Sequence, residues 1–507
     1  MLNTKLKLML GLAALAAATA LAQTQTIAPA TPVASAPAAP PPLNAFDQWT
    51  KDVKNPVPWF SWGGDLRFRN EYFNNAITLN EGIVRHEQDY FRFRERIWAS
   101  VMPVTNVSVN ARFSGEQREW MKPSYASQFA GAAPYEEGYE GRYGILDNAY
   151  VKWSNIGGVP LTFSGGRQDV QFGDPLNWWL VGDGTPGDGS WTSFLDSIRI
   201  NYDAKDINTK VDVVYIYQNA RPDAWIPTVG ESGDVKPVPY YLTEQNEEGV
   251  IVYLSNKSVE NMQLDGYFIY KHDMKEIANG DNADIYTVGS KISGTPTPHW
   301  AYSVEGAYQF GSKQDATVNK AYVNVPNTWR DINAWGSNGK LTYLFKDKYN
   351  NQISLVGEFL SGDDPKSKGT DEMFDVLWGR WPRWSELYIY SYINETSKKI
   401  AQMNNLARFG PSWTVTPIKD TTFSATYNAM FAPVDTPTRD QTGTSAANPE
   451  EFTKDGSFRG HYLQTVLKHK FNDHVSAHLW GEFVWMGDYY TQRDLMTFLR
   501  AEVLFTF

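Results

Sequence analysis

The 507-residue chain contains no cysteine. That excludes disulfides, thiolate metal sites, iron–sulfur clusters, cysteine nucleophiles and the cysteine anchor of a bacterial lipoprotein. Charge is scarce as well: 20% of residues are ionisable Asp, Glu, Lys or Arg, and 46 basic against 57 acidic residues leave a net charge of −11. Nucleic-acid binding needs a basic surface, so no nucleic-acid partner is expected. The seven histidines form no HExxH motif, and His474 and His478 would share a face only on a helix. No GxSxG and no Ser/His/Asp set is present, so no catalytic residue and no enzyme activity is expected. Beyond the first 22 residues no apolar run approaches the roughly 18 residues of a membrane helix. Aromatics are abundant instead, with 19 Trp, 28 Tyr and 26 Phe. Many aromatics, little charge and no helical span together fit a transmembrane β-barrel, whose lipid face is apolar while its average hydropathy stays low.

The N-terminus has the form of an export signal. Lys5 and Lys7 precede an apolar stretch from Leu8 to Ala18, and Ala20-Leu21-Ala22 supplies a cleavage site, which gives a signal peptide over 1–22. Residues 23–58 read as an Ala/Pro-rich periplasmic linker, since the Ala, Pro, Thr and Gln that dominate 23–45 bury too little apolar surface to fold. The barrel is expected over 59–507.

Alternation of period two runs through that body. Val107, Val109, Ala111 and Phe113 alternate with Asn106, Ser108, Asn110, Arg112 and Ser114, one apolar face against one polar face. Short links near 103–105, 155–160, 204–208, 256–259, 295–298, 346–350, 417–420 and 472–473 pair sixteen strands, and a first and a last strand bring the count to about eighteen. Long segments between the pairs, the largest at 120–142, 171–191, 220–245, 361–401 and 433–457, read as extracellular loops. Short periplasmic turns and long outer loops are the pattern of an antiparallel outer-membrane barrel in Gram-negative bacteria. The terminal Phe507, on the face of Phe505, resembles the signal read by the outer-membrane assembly machinery.

Alternation also sorts the interior. Leu66, Phe68, Phe91, Phe93 and Ile97 take the lipid face, which puts Arg67, Arg69, Arg92, Arg94 and Arg96 in the lumen; Glu95, on the lipid side, conflicts with this register. Arg112 and Arg118 join them from the third strand, and Arg199 and Arg500 from later ones. Guanidinium grips carboxylate or sulfate bidentately, so these nine arginines are candidate binding residues for a polyanion. Asp212, Asp265, Glu305, Glu358, Glu482 and Glu502 make the opposite wall acidic. The bland alternative is a solvated porin wall whose arginines pair with lumenal acids. The five largest loops hold 22 acidic and 12 basic residues, a surface suited to contact with lipopolysaccharide. Trp178, Trp179, Trp191, Trp378, Trp381 and Trp384 in two of them are candidates for stacking on sugar rings. Acids and glycines at 182–189 would suit calcium but lack EF-hand spacing; no metal and no cofactor is expected.

Gly166-Arg167-Gln168, Phe172-Gly173-Asp174 and Phe194-Leu195-Asp196-Ser197-Ile198-Arg199 resemble the central motif of the alginate-export outer-membrane porins. Gly64-Asp65-Leu66-Arg67-Phe68-Arg69, Phe91-Arg92-Phe93-Arg94, Gly357-Glu358 and Ser361-Gly362-Asp363 extend the likeness from about Trp59 to the C-terminus. The resemblance implies an eighteen-stranded barrel that secretes an anionic polysaccharide or oligosaccharide through an arginine-lined lumen, with Arg167 of the central motif as a tenth candidate binding residue. Two features depart from it: the turn at Asn472–Asp473 is short, and the acidic wall is heavy. Expected partners are outer-membrane lipid, lipopolysaccharide, the assembly machinery and a periplasmic scaffold lipoprotein. The alternatives are a general or sugar-selective porin for uptake, and a barrel that acts as a surface enzyme or adhesin.

Overall fold

The computed structural model describes residues 45–82, 86–121, 138–141, 144–172, 194–221, 223–226, 241–277, 279–314, 328–379, 382–396, 403–437 and 451–507. A helix, α1 (Ala45–Lys54), occupies part of the stretch expected to be linker. Eighteen wall strands follow among the described residues. They are β1 (Phe60–Asn74), β2 (Glu87–Val104), β3 (Val107–Trp120), β4 (Ile145–Trp153), β5 (Leu161–Gln168) and β6 (Leu195–Ala204). Next come β7 (Thr209–Gln218), β8 (Gln245–Asn256), β9 (Met262–Lys275), β10 (Asn282–Thr297), β11 (Trp300–Gln314) and β12 (Trp329–Leu344). The last six are β13 (Gln352–Leu360), β14 (Leu406–Val415), β15 (Thr421–Phe431), β16 (Phe458–Lys470), β17 (Val475–Met486) and β18 (Leu495–Thr506). Each pairs antiparallel with the next, and β18 returns to β1 with Asp65 opposite Thr506 and Asn74 opposite Thr497. The sheet is a closed barrel.

Burial is inverted relative to a soluble protein. On β1, Leu66 and Phe68 are 41% and 50% exposed, whereas Asp65, Arg67, Arg69 and Glu71 are buried. Apolar side chains face lipid and ionic ones face in, as the alternation requires. The turns at the N-terminal end of β1 are tight because asparagine tolerates the left-handed region: Asn106, Asn155, Asn208, Asn261 and Asn350 all have positive φ. Glu95 does not break the register. It stays on the lipid side, crosses over Gly115, and accepts a hydrogen bond from Gln117 Nε2 at 3.1 Å.

Ring closure ends on the last residue. Phe507 and Gly64 exchange both backbone hydrogen bonds, at 3.0 and 3.2 Å, and the Phe507 ring packs on Trp62 with centroids 5.5 Å apart. A backbone group left open in hydrocarbon has no water to bond. Deleting Phe505–Phe507 is therefore expected to abolish the heat-modifiable band in outer-membrane fractions; a normal band from the truncated gene would contradict this seam.

Much of residues 361–405 turns inward. Its second helix, α2 (Leu387–Glu395), is almost wholly buried, and its aromatic residues form the core of the barrel's outer half with Phe73, Tyr90 and Phe498. The wall makes room with glycine: a Cβ on Gly336 would sit 2.6 Å from the Phe374 ring, and one on Gly249 would sit 2.6 Å from Trp378.

Candidate solute pathway

The arginines expected to face in lie on the inner wall, and carboxylates stand between them. Arg92 bridges Glu71 and Glu116 at 3.0 and 2.8 Å. Arg94 and Arg96 share Asp65 at 3.2 and 2.7 Å. Arg118 bonds Glu116 at 3.1 Å, Arg500 reaches Glu71 at 2.8 Å, and Arg69 pairs with Glu502. Arg67 lies between Glu116 and Glu502 at 3.8 and 3.9 Å. Arg167 makes a bidentate pair with Asp196 at 2.8 and 3.1 Å beneath the Phe194 ring, and Arg199 bonds Asp212 at 2.7 Å. Arg112 forks onto both Asp147 and Asp169, with four contacts between 2.8 and 3.0 Å. The basic arc is thus a lattice of alternating charge rather than a bare cationic ladder. Its acids come from strands far apart in sequence, with Glu502 on β18, Asp147 on β4 and Asp169 just after β5.

Access divides the ten. Arg67, Arg69, Arg92, Arg94, Arg118, Arg167 and Arg500 are buried. The side chains of Arg96, Arg112 and Arg199 keep 14%, 18% and 26% of their surface open. Arg96 and Arg112 border a recess of about 360 Å³ on the β2–β4 wall, together with Trp98, Ser100, Asn110, Asn148, Tyr150 and Asp169. Two guanidinium groups, one carboxylate, two aromatic rings, two amides and a hydroxyl converge there. That set offers charge, hydrogen-bonding groups and two ring faces to a polar solute.

The inward loop is tied to the wall at several points. Glu482 on β17 accepts hydrogen bonds from Ser385 Oγ at 2.6 Å and from the backbone N–H of Glu386 and Leu387 at 2.9 and 3.1 Å. It thereby holds the N-terminus of α2, whose first N–H groups have no helical partner. At the other end Arg459 grips Glu395 with two bonds, at 2.5 and 2.7 Å. Ahead of the helix, Gln309 and the backbone of Asp375 exchange hydrogen bonds, both at 2.8 Å.

Trp378 and Trp384 belong to this inward segment rather than to an outer loop surface. Trp378 is fully buried, and Trp384 lies between Arg408, 4.4 Å from its centroid, and Tyr462. Trp178, Trp179, Trp191 and Trp381 lie outside the described residues, as do the acids and glycines at 182–189. The acidic wall is also partnered. Arg408 pairs with Glu358 at 2.5 Å, and Glu305 accepts from Tyr267 and Asn338 at 2.9 and 3.0 Å. Sequence reasoning missed Arg330, Arg408 and Arg459, although Arg408 sits directly opposite Glu358 in the β13–β14 register. Lys271 was missed as well; it lies within 3.1 to 3.7 Å of Asp273, Glu247 and Asp375.

A closed barrel with a lipid-facing apolar belt, a charged interior and an infolded loop is an outer-membrane porin. Its place is the bacterial outer membrane. The chain belongs to the alginate export family, whose profile matches residues 58–502. No curated protein matches it by sequence. Among solved structures, OccAB2 of Acinetobacter baumannii gives a TM-score of 0.50 at 8% identity, covering 88% of this chain and 98% of that one. OccK5 (OpdH) of Pseudomonas aeruginosa gives 0.47 at 12% identity, covering 88% and 97%. OprD of the same organism gives 0.45 at 10% identity, covering 88% and 95%. At such identities the likeness concerns the fold alone.

Proposed function

We propose that the protein is a non-catalytic channel for an anionic polysaccharide or oligosaccharide of the uronate type. The observation that carries the reading is the open pair Arg96 and Arg112 beside Trp98 and Tyr150 in one wall recess. Membership of the alginate export family supports it. Arg199 extends the same basic arc, while the seven buried arginines support the wall that presents it. Phe507 would present the closing strand to the assembly machinery, and a periplasmic scaffold lipoprotein would meet the turn side.

Current block in planar bilayers tests this. Polyuronate oligomers are expected to block more strongly than neutral oligomers of equal length, with the difference shrinking as salt rises, because exposed charge pairs are screened. The double replacement Arg96→Gln and Arg112→Gln leaves Asp65, Asp147 and Asp169 with less counter-charge. It should therefore shift the reversal potential towards cations and remove the preference for polyuronate. Arg112→Lys keeps the charge, loses the fork and should fall between. Equal block by charged and neutral oligomers would favour the second reading, a sugar-selective porin working through Trp98 and Tyr150.

A further inference from the structure

Three lysines face into the periplasmic end of the lumen without an acid partner. Lys152 lies one residue before the end of β4, Lys468 two before the end of β16, and Lys340 four before the end of β12. Each of these strands runs into a short turn, so at about 3.4 Å per residue the lysines lie within roughly 14 Å of the turns. Alternation directs them inward, because their chain neighbours Val151, Trp153, Leu341 and Leu467 are exposed on the lipid face. Across the ladder Lys152 stands between Ser108 and Ser164, Lys340 between Ser303 and Val356, and Lys468 between Thr422 and His478. Lys152 and Lys468 are exposed, and Lys340 is half-buried. Among the described residues none of the three side chains makes a hydrogen bond or an ion pair, whereas each of the ten arginines above meets an acid. The acids nearby on this face, Glu305, Glu358 and Glu502, are held by Tyr267 and Asn338, by Arg408 and by Arg69 respectively. Lys210 and Lys470, at the same end, stand against Asp203 and Asp473.

We propose that Lys152, Lys340 and Lys468 form an anion-collecting vestibule, which draws carboxylate groups into the periplasmic mouth ahead of the recess at Arg96 and Arg112. The inference rests on the anionic-solute reading above and adds to it the site of first capture. β4, β12 and β16 stand eight, four and six strands apart around the ring, so positive charge meets a solute from three sides. An ammonium on a flexible stem has no fork and attracts a carboxylate as a point charge. Fixed charge of one sign in a walled mouth raises the local concentration of counter-ions and their rate of entry. Lys152 leads inward, since it shares the lumenal face of β4 with Tyr150 and Asn148, which line the recess. Capture at the mouth is thus loose and by lysine, and contact deeper in is forked and by arginine.

The test compares the full chain with the triple variant Lys152→Gln, Lys340→Gln and Lys468→Gln, with heat-modifiable mobility confirming the barrel. Outer-membrane vesicles from porin-deficient cells, fused into a planar bilayer from one chamber, leave the turn side facing the other. Potassium chloride is the first probe. With 0.1 M on the turn side and 1 M outside, the lysines act over about 10 Å, and with the gradient reversed over about 3 Å. Anion preference should therefore be greater when the turn side is dilute, and the triple variant should lose that difference. Equal reversal potentials in the two proteins would overturn the proposal. Polyuronate oligomers added to the turn side are the second probe. Their rate of block should fall several-fold in the triple variant while the rate of unblocking stays the same; an unchanged rate of block would overturn capture by these lysines. If polyuronate blocks the unaltered channel no better than neutral oligomers, the anionic-polymer reading falls instead, and the chloride measurement still decides for or against the vestibule.

Discussion

Replacing Glu482 by alanine should raise single-channel conductance several-fold. The carboxylate receives Ser385 Oγ and two backbone N–H groups at the start of α2, and it is fully buried. Its removal leaves those donors inside the barrel without an acceptor, at about 1 to 3 kcal/mol for each buried donor left unsatisfied. The loop can escape that cost by swinging its helix out to water, which widens the passage. Arg459→Met acts on the opposite end and strands Glu395, which the guanidinium holds by two bonds. The two changes together should exceed either alone. Planar-bilayer recording of the single and double variants reads this directly. Unchanged conductance in the double variant would mean that residues 361–405 do not constrict the path.

Arg92→Ala should be the most destabilising single change among the arginines of the inner wall. Arg92 joins Glu71 and Glu116, neither of which retains any exposed surface. Breaking a buried pair from one side typically costs about 3 to 5 kcal/mol, because the remaining charge stays uncompensated. The temperature at which the folded, fast-migrating form is lost should fall sharply. Arg199→Ala supplies the contrast: its side chain is 26% exposed, pairs with the single acid Asp212 and lies over the Phe172 ring, so about 0 to 1 kcal/mol is expected for the ion pair. Equal temperatures for the two variants would contradict a division between supporting and accessible arginines.

That division was not legible in the sequence, although the barrel was. Alternation along Val107–Phe113, the asparagine-bearing turns and the terminal Phe507 define the strand count and the inward faces, because a pleated strand forces period two. Partners across the ring obey no local period. Glu502 meets Arg69 because β18 closes onto β1, and Asp147 meets Arg112 through a bulge in the β3–β4 ladder. Glu95 looked like a register fault, yet Gly115 and Gln117 on the next strand accommodate it. The aromatic residues of 361–401 carried a signal with two readings. Rings in a long outer loop suit sugar contact, but Leu387, Tyr388, Tyr390, Tyr392 and Ile393 within nine residues are also apolar surface seeking cover. Only the fold shows that the barrel supplies that cover, through wall glycines whose neighbours lie far away in sequence.

The seam between Gly64 and Phe507 also orders the protein's life before it becomes a channel. β1 is among the first strands to leave the ribosome, and its outer edge finds no partner until the final residues arrive. Such an edge, long and carrying Leu66 and Phe68 beside unpaired N–H and C=O groups, invites pairing with any other extended chain. Until closure that edge has to be kept from such pairing. Closure, when it comes, joins β1 to β18 across more than four hundred residues of chain, the kind of non-local contact that is slow to make.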